Sequence, residues 1–271
     1  MKLKKLSIVK AIQRKIRHRE LIREFNDAVK NGRVLMYLQP QVDCDGNITG
    51  AEALARYRDR KGQIIYPEQF VDVLEHNGRI WQLDQYMWEL AAQQLRFWQD
   101  TDKKDLHISV NVSPMDIEYL DVVHTLLALV EKYQISPGKL NVEITETSFM
   151  KTPERYISLV NELHHYGFMI EIDDFGSGYS SLNLLKDIHA DVLKLDMGFL
   201  QEENNTNVVR SRVIIDSVIE MAKRLHMFVI SEGVETKEQA AYLSDNGCDL
   251  FQGFYFSRPV PVPEFESRLM C

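Results

Sequence analysis

Asp173 and Asp174, side by side in the segment IEIDDFGSGYSSL (170–182), are residues whose type and spacing fit chemistry. Successive side chains on a strand face opposite ways, so adjacent acids can share one site only where the strand stops and the chain bends. Ile170 and Ile172 alternate with Glu171 and Asp173, and then Gly176 and Gly178 supply the backbone freedom of a tight turn. The expectation is two carboxylates at a strand end beside a flexible loop. A lone Asp-Asp pair more often marks a solvated turn, so its weight depends on what stands at the other strand ends.

Those ends are polar in the same way. Glu52 lies in AEALAR, Asn111 in SVNVS, Glu143 in VEITE, Lys194 in LKLD, Glu232 in SEGVE and Gln252 in FQGF. Counting by two puts His107, Ser109 and Asn111 on one face, as it does Asn141 with Glu143, Glu171 with Asp173, and Val192, Lys194 and Asp196. If these faces point inward, several acids crowd one opening. Like charges that close are costly unless something positive lies between them, which is the physical case for bound cations. The candidate ligands are oxygen donors without clustered Cys or His, so the metal should be hard, Mg²⁺ or Mn²⁺ before Zn²⁺. An ammonium such as Lys194 beside metal-bound carboxylates can orient a water or help deprotonate it. The eight histidines, His164 and His165 among them, read as surface or packing residues.

The elements that must position these groups follow from periodicity. Val34 to Val42 and Ile48 to Tyr57 are strand-like and joined only by DCDGN, too short for a parallel crossover, so they form an antiparallel hairpin. Six more strand-like runs follow, at 107–113, 140–146, 168–173, 191–196, 227–233 and 249–254. They alternate with helical patterns near 67–76, 80–99, 119–133, 153–166, 180–187, 207–225 and 236–246. Such alternation implies parallel βαβ units, and eight strands in this length predict an α/β fold, a TIM-like (β/α)8 barrel with an antiparallel first strand. An open doubly wound sheet is the competing arrangement. In a barrel of this kind the site forms where the parallel strands end.

Residues 1–31 read separately, as a basic amphipathic N-terminal helix or linker ahead of a barrel at 32–271. Leu6, Val9, Ile12, Ile16, Leu21 and Phe25 recur among basic residues until Gly32. A linker from an upstream module is preferred over a membrane-surface helix. The net charge is -8, and residues 1–23 hold nine Lys or Arg against one acid, leaving -16 for the rest. That argues against nucleic acid polymers as partners and means that an anionic phosphate would need cations at the site. No apolar run reaches the roughly 20 residues of a membrane span, and no signal peptide is evident. Three scattered cysteines (Cys44, Cys248, Cys271) fit a reducing compartment. The expected location is the cytoplasm.

Taken in order, QPQV, AEALAR, SVNVS, VEITET, IDDFGSGYSSL, LKLD, SEGVETKEQ and NGCDLFQGFYFSRP resemble the EAL domain, the cyclic di-GMP phosphodiesterase family, over residues 35–260. The resemblance implies a (β/α)8 barrel with a reversed first strand and hydrolysis of one phosphodiester of cyclic di-GMP to linear pGpG, with two Mg²⁺ or Mn²⁺ ions. By the same resemblance Glu52, Asn111, Glu143, Asp173 and Asp174 are the metal ligands, and Lys194 and Glu232 handle the attacking water. Gln39, Arg56 and Gln252 contact or line the substrate site, and Glu146 holds the loop 175–181 in its working shape. It further implies a homodimer and an upstream sensor or diguanylate cyclase module. The chain departs from the family pattern at Glu171, where a small residue is usual, at Tyr57 for Trp, at Ser177 for Thr, and at Met197 and Gly198 for Arg-Ser. One alternative is a catalytically weak or inactive cyclic di-GMP receptor acting through partner proteins, which predicts missing ligands or a broken loop. Another is a different metal-dependent barrel enzyme, which would not require the whole IDDFGSGYSSL segment.

Overall fold

The computed structural model describes residues 18–149, 152–176, 185–196, 198 and 205–268. A helix over 18–30 (α1) leads into the hairpin of β1 (Val34–Val42) and β2 (Ile48–Arg58), paired antiparallel from Val34↔Tyr57 to Val42↔Ile48. Asp43 sets the connecting turn, its carboxylate accepting from the N–H groups of Asp45 and Asn47 at 2.9 and 2.8 Å. The expected domain boundary at residue 31 falls just after α1, yet Phe25 and Ala28 of that helix are buried in the barrel's core, with Phe25 stacked on Phe70. The basic stretch 1–17 lies outside the described residues.

From β2 onward the strands run parallel: β4 (His107–Asn111), β5 (Leu140–Thr145), β6 (Ile170–Phe175), β7 (Val192–Leu195), β8 (Phe228–Ser231) and β9 (Leu250–Phe251). β1 pairs antiparallel with both β2 and β9, so among the described residues eight strands close into the expected barrel rather than an open sheet. Two short strands, β3 (Ile64–Ile65) and β10 (Val260–Pro261), flank it on β2 and β1.

The helices are α2 (Val71–His76), α3 (Ile80–Gln99), α4 (Pro114–Tyr119), α5 (Val122–Tyr133), α6 (Glu146–Phe149) and α7 (Pro153–His165). A helical turn at 185–187 (α8), then α9 (Asn205–Arg224), α10 (Lys237–Asp245) and α11 (Val262–Arg268) complete them. The apolar core lies between barrel and helices: Ile108, Val142 and Ile170 pack with Trp88 and Leu126, while Leu193 and Val229 pack with Ile219 and Leu243. Each such buried aliphatic side chain contributes about 1.5–3 kcal/mol. Because strand side chains alternate, committing these residues to the outer face turns Ser109, Asn141, Glu143, Glu171 and Lys194 into the lumen. The hydrophobic pattern that builds the core thereby concentrates the polar groups in the barrel's centre.

Two expected elements differ. The helix expected at 119–133 forms as α5 from Val122, and an unexpected short helix, α4, precedes it because Ser113 and Asp116 form a reciprocal cap that starts a turn at Pro114. The strand expected to run through residue 146 ends at Thr145, and Glu146 opens α6.

Candidate active site

Lys194 is the centre of the carboxylate cluster. Its ammonium, wholly buried, lies 2.8 Å from Glu232, 2.9 Å from Glu143, 3.2 Å from Asp173 and 3.6 Å from Glu52. These acids come from the C-terminal ends of β8, β5, β6 and from β2, so one lysine reads the closure of the barrel. Burial alone would lower the lysine's pKa, but Asp173, Glu143, Glu232 and Glu52 together hold it well above its ordinary value.

The expected bend at the acid pair is instead an irregularity within the strand. β6 continues to Phe175, while its pairing with β7 slips between Ile172 and Phe175. Asp174 adopts φ 56°, a left-handed conformation that aspartate tolerates, and its N–H donates to Asp173 Oδ1 at 2.9 Å. The extra residue breaks the period of two, which lets both carboxylates serve one side. Carboxylate oxygens of Asp173, Asp174 and Glu232 all lie within 4.8 Å of one another. Glu232 thus stands among the cation-binding candidates as well as beside Lys194.

The other expected residues surround this cluster. Asn111 donates to Glu143 Oε2 at 3.2 Å, and Trp88 of α3 fixes that strand end by donating to the Asn111 carbonyl at 2.9 Å. Gln252 donates to Glu52 Oε2 and to Gln39 Oε1, and Gln39 donates on to the Ser257 carbonyl. The backbone carrying Gln252 approaches Val234 so closely that a Cβ on Gly253 would lie 2.2 Å from the Val234 carbonyl oxygen. Glu146 accepts from the Gly176 N–H at 2.9 Å, at the start of the segment that follows the acid pair. Ser177 to Leu184 lie outside the described residues, as do Met197 and the side chains of 205–208. Arg56 stands apart from the lysine cluster: its guanidinium donates to the Ala55 carbonyl and lies 5.5 and 5.2 Å from the ring centres of Tyr37 and Tyr66.

The donor set suits hard divalent cations. Five carboxylates (Glu52, Glu143, Asp173, Asp174 and Glu232) face one ammonium, an excess of four negative charges when all are ionised. Without cations, that excess is relieved by protons. Burial, then Glu52, pushes Glu143 well up; burial pushes Glu232 up to about 8 against the pull of Lys194; burial, then Asp173, raises Asp174 to about 6. Two divalent ions would neutralise the same excess with oxygen ligands throughout.

Two cavities meet at Glu52 and Leu54. One of about 370 Å³ is bounded by Gln39, Asp173, Glu232 and Phe254, and the other, about 280 Å³, by Pro67, Asp84, Asn111 and Ser113. Asp84 and its neighbour Asp116 were not among the expected site residues. Burial and then the Asp116 charge raise Asp84 well above the carboxylate range, and burial lifts Asp116 to about 6. The signal for Asp84 was present in the sequence: an acid on the face of α3 that otherwise carries Ile80, Leu83, Met87 and Trp88.

The EAL domain family profile matches residues 22–259. Among curated proteins the chain is 35% identical over 245 residues to the signaling protein YkoW of Bacillus subtilis, covering 90% of this chain and 30% of that protein. It is 30% identical over 246 residues to the bifunctional diguanylate cyclase/cyclic di-GMP phosphodiesterase MucR of Pseudomonas aeruginosa, with 90% and 36% covered. It is 33% identical over 247 residues to the cyclic di-GMP phosphodiesterase NbdA of the same organism, with 91% and 31% covered. The chain therefore spans about a third of the length of these relatives. Among solved structures it superposes on the PaMucR phosphodiesterase in complex with c-di-GMP with a TM-score of 0.85 at 30% identity, covering 91% of this chain and 99% of that one. The EAL enzyme Bd1971 with cAMP and cyclic di-GMP bound gives a TM-score of 0.87 at 28% identity, covering 97% and 72%. With the family profile spanning most of the barrel and its motifs gathered at the barrel's mouth, the chain belongs to the EAL domain family.

Proposed function

We propose that this domain is a metal-dependent phosphodiesterase that opens one phosphodiester of cyclic di-GMP to linear pGpG. The observation that carries the reading is the buried Lys194 ammonium contacting four carboxylates from four strands at 2.8 to 3.6 Å. The names of MucR and NbdA, and the c-di-GMP in the PaMucR structure, support the substrate. The paired cavities support it as well, since a cyclic dinucleotide places two bases on either side of its phosphates.

Glu52, Asn111, Glu143, Asp173 and Asp174 would hold two Mg²⁺ or Mn²⁺ ions. When bound, such ions would lower the pKa of an attacking water and screen the phosphate's charge. Lys194 orients that water, and Glu232, one residue beyond β8, accepts its proton. The oxygen adds to phosphorus as the P–O3′ bond breaks, and the departing O3′ takes up a proton to leave a hydroxyl. Arg56, packed against the rings of Tyr37 and Tyr66, supplies positive charge for the phosphate, and Gln39 and Gln252 form part of the wall of the larger cavity. Glu146 fixes the start of the loop after the acid pair through Gly176. In the smaller cavity Asp84 presents a carboxyl able to hydrogen-bond the edge of a guanine.

The same reading places the domain in the cytoplasm as a homodimer under an upstream sensor or cyclase module, which MucR's bifunctional name supports. No described helix is long and apolar enough to cross a membrane. The test is to incubate purified protein with cyclic di-GMP and Mg²⁺ or Mn²⁺ and resolve the products by chromatography. The expected product is pGpG; tight binding without product would favour the receptor instead.

A further inference from the structure

One acid in the barrel lies below the cluster and takes no part in the chemistry above. Glu171 faces the lumen on β6, two residues before Asp173, in register with Glu143 on β5, and is fully buried. Its Oε1 accepts from Ser109 Oγ at 2.9 Å and from Asn141 Nδ2 at 2.7 Å. Its Oε2 has no hydrogen-bond partner among the described residues. A layer lower, the His107 ring occupies the space over Gly50, where a Cβ would lie 2.3 Å from Nε2, and its Nε2 meets Gln41 Oε1 at 2.8 Å.

A carboxylate sealed from water with one oxygen unpartnered is costly, and the lumen's Lys194 ammonium is already shared among four other acids. Glu171 also stands in register with the buried Glu143 on the neighbouring strand, so the two like charges repel one another across the lumen. The metal-free barrel therefore holds repulsion that positive charge at its mouth would relieve. Ser109 and Asn141 keep that charge fixed in place instead of letting it turn away.

We propose that Glu171 is a positioning residue for the cations: held by Ser109 and Asn141 beneath Glu143, its charge strengthens divalent-metal binding at the barrel mouth at the expense of metal-free stability. The inference rests on the metal-site reading given above. It makes two effects of one substitution run in opposite directions, which a purely structural role for Glu171 does not.

The test uses the full chain stripped with EDTA and dialysed, as wild type and Glu171→Gln, a change that keeps shape and an acceptor for Ser109 and Asn141. Mn²⁺ affinity is measured by titration calorimetry and metal-free stability by thermal melting. Glu171→Gln should weaken Mn²⁺ binding about 10-fold or more, as removal of one fixed charge near a divalent ion does. Its metal-free Tm should equal or exceed that of wild type. A Kd within twofold of wild type, or a lower metal-free Tm, would overturn the proposal. Wild-type protein that binds no Mn²⁺ would overturn the metal-site reading and this inference with it, a result distinct from binding that Glu171→Gln leaves intact.

Discussion

Lys194 Nζ and Glu143 Oε1 stand 2.9 Å apart with both side chains wholly sealed from solvent. Removing one partner of such a buried pair leaves the other charge uncompensated, at a cost of about 3–5 kcal/mol. Lys194→Ala should therefore lower metal-free stability as well as lowering kcat by roughly 10² or more, the range for a lost acid-base group. Divalent cations should restore much of the stability and little of the rate. Glu232→Gln should show the loss of kcat without the loss of stability, because the neutral amide replaces a carboxyl whose charge burial already disfavours. Melting curves with and without Mg²⁺, alongside steady-state kinetics, separate the two effects, and wild-type kcat in both variants would remove their assigned roles.

The protons held at the metal-free site set a pH dependence. Burial raises Glu232 from 4.5 to about 8 and Asp174 from 3.8 to about 6. The folded protein thus binds more protons than the unfolded chain between about pH 4 and 8, so the stability they contribute is present below pH 4 and lost as pH rises through 6 and then 8. Tm in EDTA should fall between pH 5 and 8.5, and Mg²⁺ should flatten the fall by taking the protons' place. A metal-free Tm that rises over this range would contradict the arrangement.

Much of this site could be read from strand ends because alternation leaves little freedom: once Val142 and Ile144 pack outward, Glu143 faces the lumen. The antiparallel β1–β2 hairpin followed from the shortness of DCDGN alone. Less accessible was whatever depends on contacts between distant segments. Asp84 looks like an ordinary acid on an amphipathic helix until Asp116 and Ser113 are folded against it. The loop glycines pointed to a turn after the acid pair, whereas the break occurs at Asp174, because pairing with β7 decides where β6 slips. Glu146 was expected to hold the loop 175–181 from a strand running through residue 146; β5 ends at Thr145, and the carboxylate reaches the Gly176 N–H from a helix start.

That hydrogen bond from Gly176 to Glu146 gives the next expectation. Glu146→Ala frees the backbone just after Asp174 and should raise both KM and the Mg²⁺ concentration for half-maximal rate, with Glu146→Gln recovering part of each because its carbonyl still accepts. The check is a Mg²⁺ titration at several substrate concentrations. Wild-type values of both quantities in Glu146→Ala would make the residue a bystander.

The smaller cavity makes a separate claim on Asp84. Asp84→Ala should raise KM for cyclic di-GMP about 10-fold or more, as loss of a buried hydrogen-bonding group at a recognition site does, while changing kcat less. Melting of the variant reports on the fold, since removal of one of two facing buried acids should not lower metal-free Tm. An unchanged KM would exclude the cavity as a base pocket.

In the proposed function, cations held by Glu52, Asn111, Glu143, Asp173 and Asp174 make a water able to cut cyclic di-GMP. The most direct measurement follows metal-stripped protein with cyclic di-GMP in ¹⁸O-labelled water, before and after Mn²⁺ is added, beside Glu52→Ala and Asp173→Ala variants that remain folded. No product is expected before the metal, pGpG carrying one ¹⁸O after it, and none from either variant. Product formed at full rate in EDTA, or wild-type turnover by Asp173→Ala, would contradict it.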